Sequence, residues 1–179
     1  MKNKAVFLDR DGTINIEKGY LHKIEDFVLL PGAAEAVSEM NRLGYKVIVI
    51  TNQSGIARGF YTEDDMQTLH SHMKDVLASK NAAVDAIYFC PHHPEAQVSR
   101  YRKDCGCRKP KAGLFIKAAE DFDIDFERSW AVGDRIRDIL PAKQLGMKSA
   151  LVLTGHKKAE EICQAPAVFD DLSAFVKSL

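Results

Sequence analysis

Asp9 and Asp11 stand two residues apart directly after the apolar run Ala5-Val6-Phe7-Leu8, so two carboxylates fall where a buried strand ends and the chain turns outward. In extended backbone, residues two apart project from one face, which lets both acids address one bound group while Arg10 points away. The chemistry on offer is a division of labour: one carboxylate attacks and the other moves a proton. A second reactive set is Cys90-Pro91-His92-His93-Pro94 with Cys105-Gly106-Cys107, a C-x-H and a C-x-C pair joined by a polar loop without an apolar pattern. Three thiolates and one imidazole complete a tetrahedral Zn²⁺ site with no open position, which makes it structural and not catalytic. His92 is the expected fourth ligand because C-x-H mirrors C-x-C, with His93 as the alternative. Cys163 has no such neighbours and reads as a core residue.

These groups need a scaffold, and the chain supplies alternating strand and helix patterns. Lys46 to Thr51, Ala86 to Phe89, Ser129 to Val132 and Lys148 to Leu153 are short apolar runs like the first, as buried strands are. Between them, Ala33, Ala36, Val37, Met40 and Leu43 share a helical stripe, as do Met66, Leu69, Met73, Val76 and Leu77, and a further helical stretch covers Leu114 to Phe122. Pro31-Gly32 opens the first helix and Gly44 closes it, while Thr62 with Asp65 marks the start of the second. The expected fold is α/β: a doubly wound, mainly parallel, Rossmann-like sheet with right-handed crossovers and the loops after the strands gathered on one edge. That edge collects Asp9 and Asp11, then Thr51-Asn52-Gln53-Ser54-Gly55, then Gly133-Asp134-Arg135; Cys107-Arg108-Lys109 precedes a helix and can bring a cation to the same place. Taken singly, each of these segments is also an ordinary turn or helix cap.

The chain of 179 residues is 46% hydrophobic, enough for one domain with a buried core and no disulfides, and residues 1–179 are expected to form a single unit with a zinc loop at about 90–109. Twenty-five basic side chains balance 25 acidic ones and are scattered, which argues against a nucleic-acid surface. Neither a signal-peptide core nor a bilayer-crossing run is present, so a cytosolic monomer acting on a small ligand, with no membrane partner, is expected.

In order, D-x-D-G-T, a strand-terminal Thr, a Lys and G-D-x-x-x-D closely resemble the motifs of the haloacid dehalogenase superfamily of aspartate-nucleophile phosphatases, across about Ala5 to Leu153. The resemblance implies that Asp9 attacks phosphorus, that Asp11 serves as acid and then base, and that Mg²⁺ is held by Asp9, the Asp11 carbonyl and Asp134, with Asp138 orienting that shell from one helical turn away. Thr51 and the Asn52 backbone N–H then donate to the phosphoryl oxygens, and Lys109 neutralises charge. Electrostatics demands such cations: a phosphate dianion at contact with a carboxylate is repelled by ~8 kcal/mol at an effective dielectric of 20. With Asp11 protonated, Mg²⁺, Lys109 and one arginine, Arg108 or Arg135, balance the site. Within the superfamily, D-R-D-G-T-I-N, Gly19-Tyr20, T-N-Q-S-G-I-A-R-G and C-P-H-H-P through C-x-C-R-K-P resemble compact sugar-bisphosphate phosphatases with little or no cap. That likeness implies a small phosphorylated sugar as partner and substrate contacts from Glu17, Lys18, Gly19, Tyr20, Thr51, Asn52, Gln53, Ser54, Arg108 and Arg135. The segment from Glu17 to Tyr20 reads equally as a mobile polar flap.

Three other readings stay open at this level. Histidinol-phosphate phosphatases share the D-x-D core and a zinc loop, although the stretch from His93 to Asp104 is long for that group. A phosphorylatable signalling domain would use the same sheet, aspartate, Mg²⁺ and Lys, without turnover. A zinc-based interaction module on an inert fold would leave Asp9, Asp11, Lys109 and Asp134 without a purpose.

Overall fold

The computed structural model describes residues 2–156 and 158–179. Six parallel strands, β1 (Ala5–Leu8), β2 (Lys46–Asn52), β3 (Ala86–Cys90), β4 (Trp130–Gly133), β5 (Lys148–Val152) and β6 (Val168–Phe169), form one sheet in the order β3-β2-β1-β4-β5-β6. The expected α/β, doubly wound architecture is therefore present. The chain winds outward in one direction through β2 and β3 and in the other through β4, β5 and β6, so the winding reverses at β1, where open sheets of this kind bind ligands beyond the strand ends. Asp9 leaves β1 at that crevice, its N–H bonded to the Val132 carbonyl at 2.9 Å.

Period-two alternation sorts the strand side chains onto two faces. Val6, Leu8, Val47, Val49, Val132, Ala150 and Val152 pack under α1 (Ala33–Arg42), α3 (Glu63–Ala78) and α7 (Leu172–Val176), while Ala5, Phe7, Ile48, Ile50 and Ala131 pack under α4 (Gly113–Phe122) and α5 (Ile136–Leu145). Two short helices, α2 (Ser54–Ala57) and α6 (Ala159–Ile162), complete the set. The α3 start is as read from the sequence: Thr62 Oγ1 accepts from the Asp65 N–H at 3.1 Å and the Asp65 carboxylate accepts from the Thr62 N–H at 2.8 Å.

The sequence reading missed β6 and α7, which are two and five residues long and too short to show a period. They matter for packing, because Phe175 of α7 is fully buried with its ring 5.3 Å from Trp130 and 5.6 Å from Phe169. Cys163 is a correction: it caps α6 on the surface and is exposed, because the four-residue α6 buries none of its residues. No helix among the described residues is long and apolar enough to cross a membrane.

Phe175→Ala removes the ring that joins the two ends of this sheet half, and it should lower unfolding stability by about 3–5 kcal/mol. Urea unfolding checks this; a loss below about 1 kcal/mol would show that α7 is dispensable.

Candidate active site

Lys109 is 3% exposed, and its ammonium lies 2.8 Å from Asp9 Oδ1, 2.8 Å from Asp138 Oδ1 and 2.6 Å from the Ile50 carbonyl. Burial works against its charge, but Asp138 and Asp9 outweigh burial and raise its pKa. The loop bearing Lys109 is held by Asn52 at the end of β2, whose side chain donates to the Lys109 carbonyl at 3.1 Å and accepts from its N–H at 3.0 Å. Asp138, one helical turn beyond Asp134, also has its buried carboxylate in direct contact with the cation, while Oδ2 accepts the Arg135 N–H at 3.0 Å.

Asp9, Asp134 and Asp138 offer oxygens within 4.8 Å of one another. Burial, then Asp138, push the Asp9 carboxyl up to about 6 against the pull of Lys109. Burial, then Asp9, also raise Asp134. Three buried carboxylates against one ammonium leave an excess of negative charge that a hard divalent cation with oxygen ligands would relieve, so the donor set fits Mg²⁺. Asp134 Oδ2 accepts from the backbone N–H of His156 at 2.8 Å and lies 2.9 Å from His156 Nδ1. Gly12, at φ +80°, crowds the same acid: a Cβ there would lie 2.7 Å from Asp134 Oδ2.

Arg10 corrects the expectation that it points away from the site. It is fully buried, its Nη2 bonds Asp11 Oδ2 at 2.8 Å, and its Nη1 lies 3.1 Å from His70 Nε2. Asn15 at 3.0 Å and Gln53 at 3.1 Å also donate to Asp11. Burial alone would raise the Asp11 pKa, but Arg10 with Asn15 and Gln53 hold it below the usual range, so the free protein carries Asp11 ionised and not protonated.

Asp9, Asp11, Glu17, Thr51, Asn52, Lys109, Asp134, Arg137 and His156 line an inner cavity of about 40 Å³. It adjoins a cleft of about 460 Å³ lined by Gly19, Tyr20, Gln53, Ser54, Tyr61 and Arg135, with Asp11, Glu17, Asn52, Arg137 and His156 common to both. Most of the expected substrate residues thus meet here. Lys18 does not line the cleft; it lies 3.8 Å from Asp26 on the outer side of its loop. Nor does Arg108, which reaches the His92 carbonyl at 3.3 Å. Arg135 lines the cleft but is engaged by Glu161 at 3.1 Å, so the arginine at the inner cavity is Arg137, two residues on. Arg58, Arg108 and Arg137 lie close enough to repel: burial, then Arg137, with a smaller push from Arg58, lower the Arg108 pKa. The Nε atoms of Arg58 and Arg137 are buried without a hydrogen-bond partner among the described residues. Sequence reading missed Arg10, Tyr61, Arg137 and His156; only His156 carried a usable signal, since it follows Thr154-Gly155 after β5 just as the other site loops follow their strands.

Cys90, His92, Cys105 and Cys107 bring one donor atom each within 4.8 Å of the others. His92 Nδ1 lies 3.3 Å from Cys107 Sγ, whereas His93 Nδ1 accepts the Glu95 N–H, which favours His92. The loop is less polar than its sequence suggested: Cys90 is buried at the end of β3, Cys105 and Cys107 pack against the same apolar cluster, and Ala96 and Tyr101 are buried on another.

The HAD-hydrolase-like family profile matches residues 106–175. The D-glycero-beta-D-manno-heptose-1,7-bisphosphate 7-phosphatase of Haemophilus ducreyi is 44% identical over 169 residues, covering 89% of this chain and 92% of that one. The Burkholderia mallei enzyme, named for the alpha anomer, is 44% identical over 94% of this chain and 89% of its own. The solved D,D-heptose 1,7-bisphosphate phosphatase from B. bronchiseptica, complexed with magnesium and phosphate, superposes with a TM-score of 0.86 at 32% identity, covering 98% of this chain and 97% of that one. With its motifs brought together at the reversal of a parallel sheet, and with such likeness along nearly its full length, this chain belongs to the heptose-1,7-bisphosphate 7-phosphatase family of haloacid-dehalogenase-like phosphatases.

Proposed function

We propose that residues 1–179 work as one phosphatase domain that removes the 7-phosphate of D-glycero-D-manno-heptose 1,7-bisphosphate and leaves the anomeric phosphate, in the cytosolic making of nucleotide-activated heptose for lipopolysaccharide. The observation that carries the chemistry is the buried Asp9–Lys109–Asp138 contact beside Asp134, in a cavity that also takes Thr51 and Asp11. Asp9 attacks phosphorus in line, the P–O7 bond breaks, and an aspartyl phosphate forms. Asp11, ionised in the free protein, takes up a proton once the phosphoryl charge sits beside it and gives that proton to the leaving O7. It then takes one from the water that opens the acyl phosphate. Thr51 and the Asn52 N–H donate to phosphoryl oxygens while Lys109 neutralises the charge that shifts among them. Mg²⁺ held by Asp9, the Asp11 carbonyl and Asp134 would polarise the phosphoryl group.

A bisphosphate needs a second cationic contact away from the reacting phosphorus. Arg108 would supply it through its fork geometry by turning from the His92 carbonyl toward the cleft, where Arg137 and Arg135 already stand. Glu17, Gly19 and Tyr20 read sugar hydroxyls from the facing loop, and Gln53 and Ser54 line the floor. Lys18 takes part through its place in that loop. Zn²⁺ on Cys90, His92, Cys105 and Cys107 is structural and fixes the segment that carries Arg108 and Lys109. A signalling domain gains nothing from a second acid two residues after the nucleophile, so turnover is the favoured reading.

Phosphate release in Mg²⁺, compared among α- and β-heptose 1,7-bisphosphates and histidinol phosphate, tests the substrate; faster turnover of histidinol phosphate would overturn it. Asp9→Asn should cut kcat to well under a tenth with an unchanged fold, and a purified variant keeping a tenth or more removes Asp9 as nucleophile. Stripping zinc with a thiol-compatible chelator should lower Tm and also raise KM or reduce kcat, because Cys107 adjoins Arg108 and Lys109. Unaltered kinetics in zinc-free protein would show that the knot and the site are uncoupled.

A further inference from the structure

Tyr61 lies between α2 and α3, is 6% exposed, and its hydroxyl donates to Gln53 Oε1 at 2.6 Å. The ring is placed with care: His22 stacks on it at 4.9 Å with an interplanar angle of 11°, and a Cβ on Gly55 would overlap its Cε1. Gln53, 3% exposed, turns its amide nitrogen to two acceptors, Thr51 Oγ1 at 2.9 Å and Asp11 Oδ2 at 3.1 Å. The direction of every bond in this chain follows from the groups themselves. The Asp11 carboxylate accepts from Arg10 and Asn15 as well, so the amide NH₂ faces it and Oε1 faces Tyr61. Burial raises the Tyr61 pKa, which keeps the phenol protonated and a donor. Thr51 therefore accepts from Gln53, and its own hydrogen meets no acceptor among the described residues while the side chain lines the inner cavity.

We propose that Tyr61 is a positioning residue that acts through Gln53: it locks the amide so that the Thr51 hydroxyl keeps its hydrogen for the phosphoryl group. A hydroxyl has one hydrogen to give. If the Gln53 amide turns over, its Oε1 accepts the Thr51 hydrogen and the phosphoryl group loses a donor. Without the Tyr61 hydroxyl, only the Asp11 carboxylate opposes that turn. The inference deepens the phosphatase reading and rests on it for the role of Thr51.

The test is a double-mutant cycle with Tyr61→Phe, which keeps the ring that fills the space above Gly55, and Thr51→Val, which keeps the shape of the side chain without its hydroxyl. Removing a phosphoryl donor outright costs about 10²–10³ in rate, so letting it be misdirected for part of the time should cost about tenfold in kcat with KM within about twofold. In the Thr51→Val background the same substitution should cost less than about twofold, because no hydroxyl remains to direct. Equal losses in both backgrounds, or no loss in the native one, overturn the proposal. Gln53→Met leaves Tyr61 in its pocket and gives a second route: with no amide left to turn over, adding Tyr61→Phe should cost less than about twofold, whereas a larger further loss counts against the proposal. Ratios are taken on whichever phosphomonoester the native protein turns over fastest, so a wrong sugar assignment would leave this test standing.

Discussion

One buried ammonium holds the site together. Lys109 bridges a carboxylate from the end of β1 and another from α5 while bonding a carbonyl of β2, so three separate stretches of chain meet at a single charge. Removing one partner of such a buried pair leaves the others uncompensated, at a cost of about 3–5 kcal/mol. The arrangement also explains why Asn52 grips the Lys109 backbone with two hydrogen bonds: a cation on a long loop can neutralise a fixed nucleophile only if the loop is fixed too. The Cys90, His92, Cys105 and Cys107 donors gather directly ahead of that segment, and Cys90 stands at the end of β3.

Around this centre the two acids of the D-x-D pair have been given different surroundings. Asp9 faces other carboxylates and is pushed toward protonation, and Asp11 faces Arg10, Asn15 and Gln53 and is held ionised. Two identical functional groups two residues apart thus stand in different electrostatic surroundings, and the roles proposed for them require a divalent cation at Asp9 and phosphoryl charge beside Asp11. The buried guanidinium of Arg10, supported from behind by His70, is what makes the difference.

Much of this was legible in the sequence. The first five strands carry apolar runs bounded by polar or glycine residues, and each ends within a residue or two of where its pattern stops. Asp9, Thr51, Lys109 and Asp134 could be placed because parallel topology forces strand ends to one edge. What stayed hidden depends on direction in space. Arg135 and Arg137 flank the start of α5, and their spacing alone does not say which reaches the cavity; Glu161, 26 residues later, takes the first. Arg10 looked like the outward member of an alternating trio, but the chain turns at Gly12 and folds it inward. Cys163 follows a helix too short to have a buried face.

The arginines grouped around Arg108 bear on how substrate arrives. Arg58 and Arg137 both repel Arg108, and apart from the 3.8 Å approach of Arg137 to Asp138 none of the three has an ion-pair partner among the described residues, so Arg137 carries the charge of this cluster to the cleft on a chain of zero formal charge. Attraction of that kind decays over about 8 Å at physiological ionic strength. It therefore acts as a short-range funnel, drawing in doubly charged solutes that have already diffused to the entrance, and added salt should slow capture more than it slows the bond-breaking step.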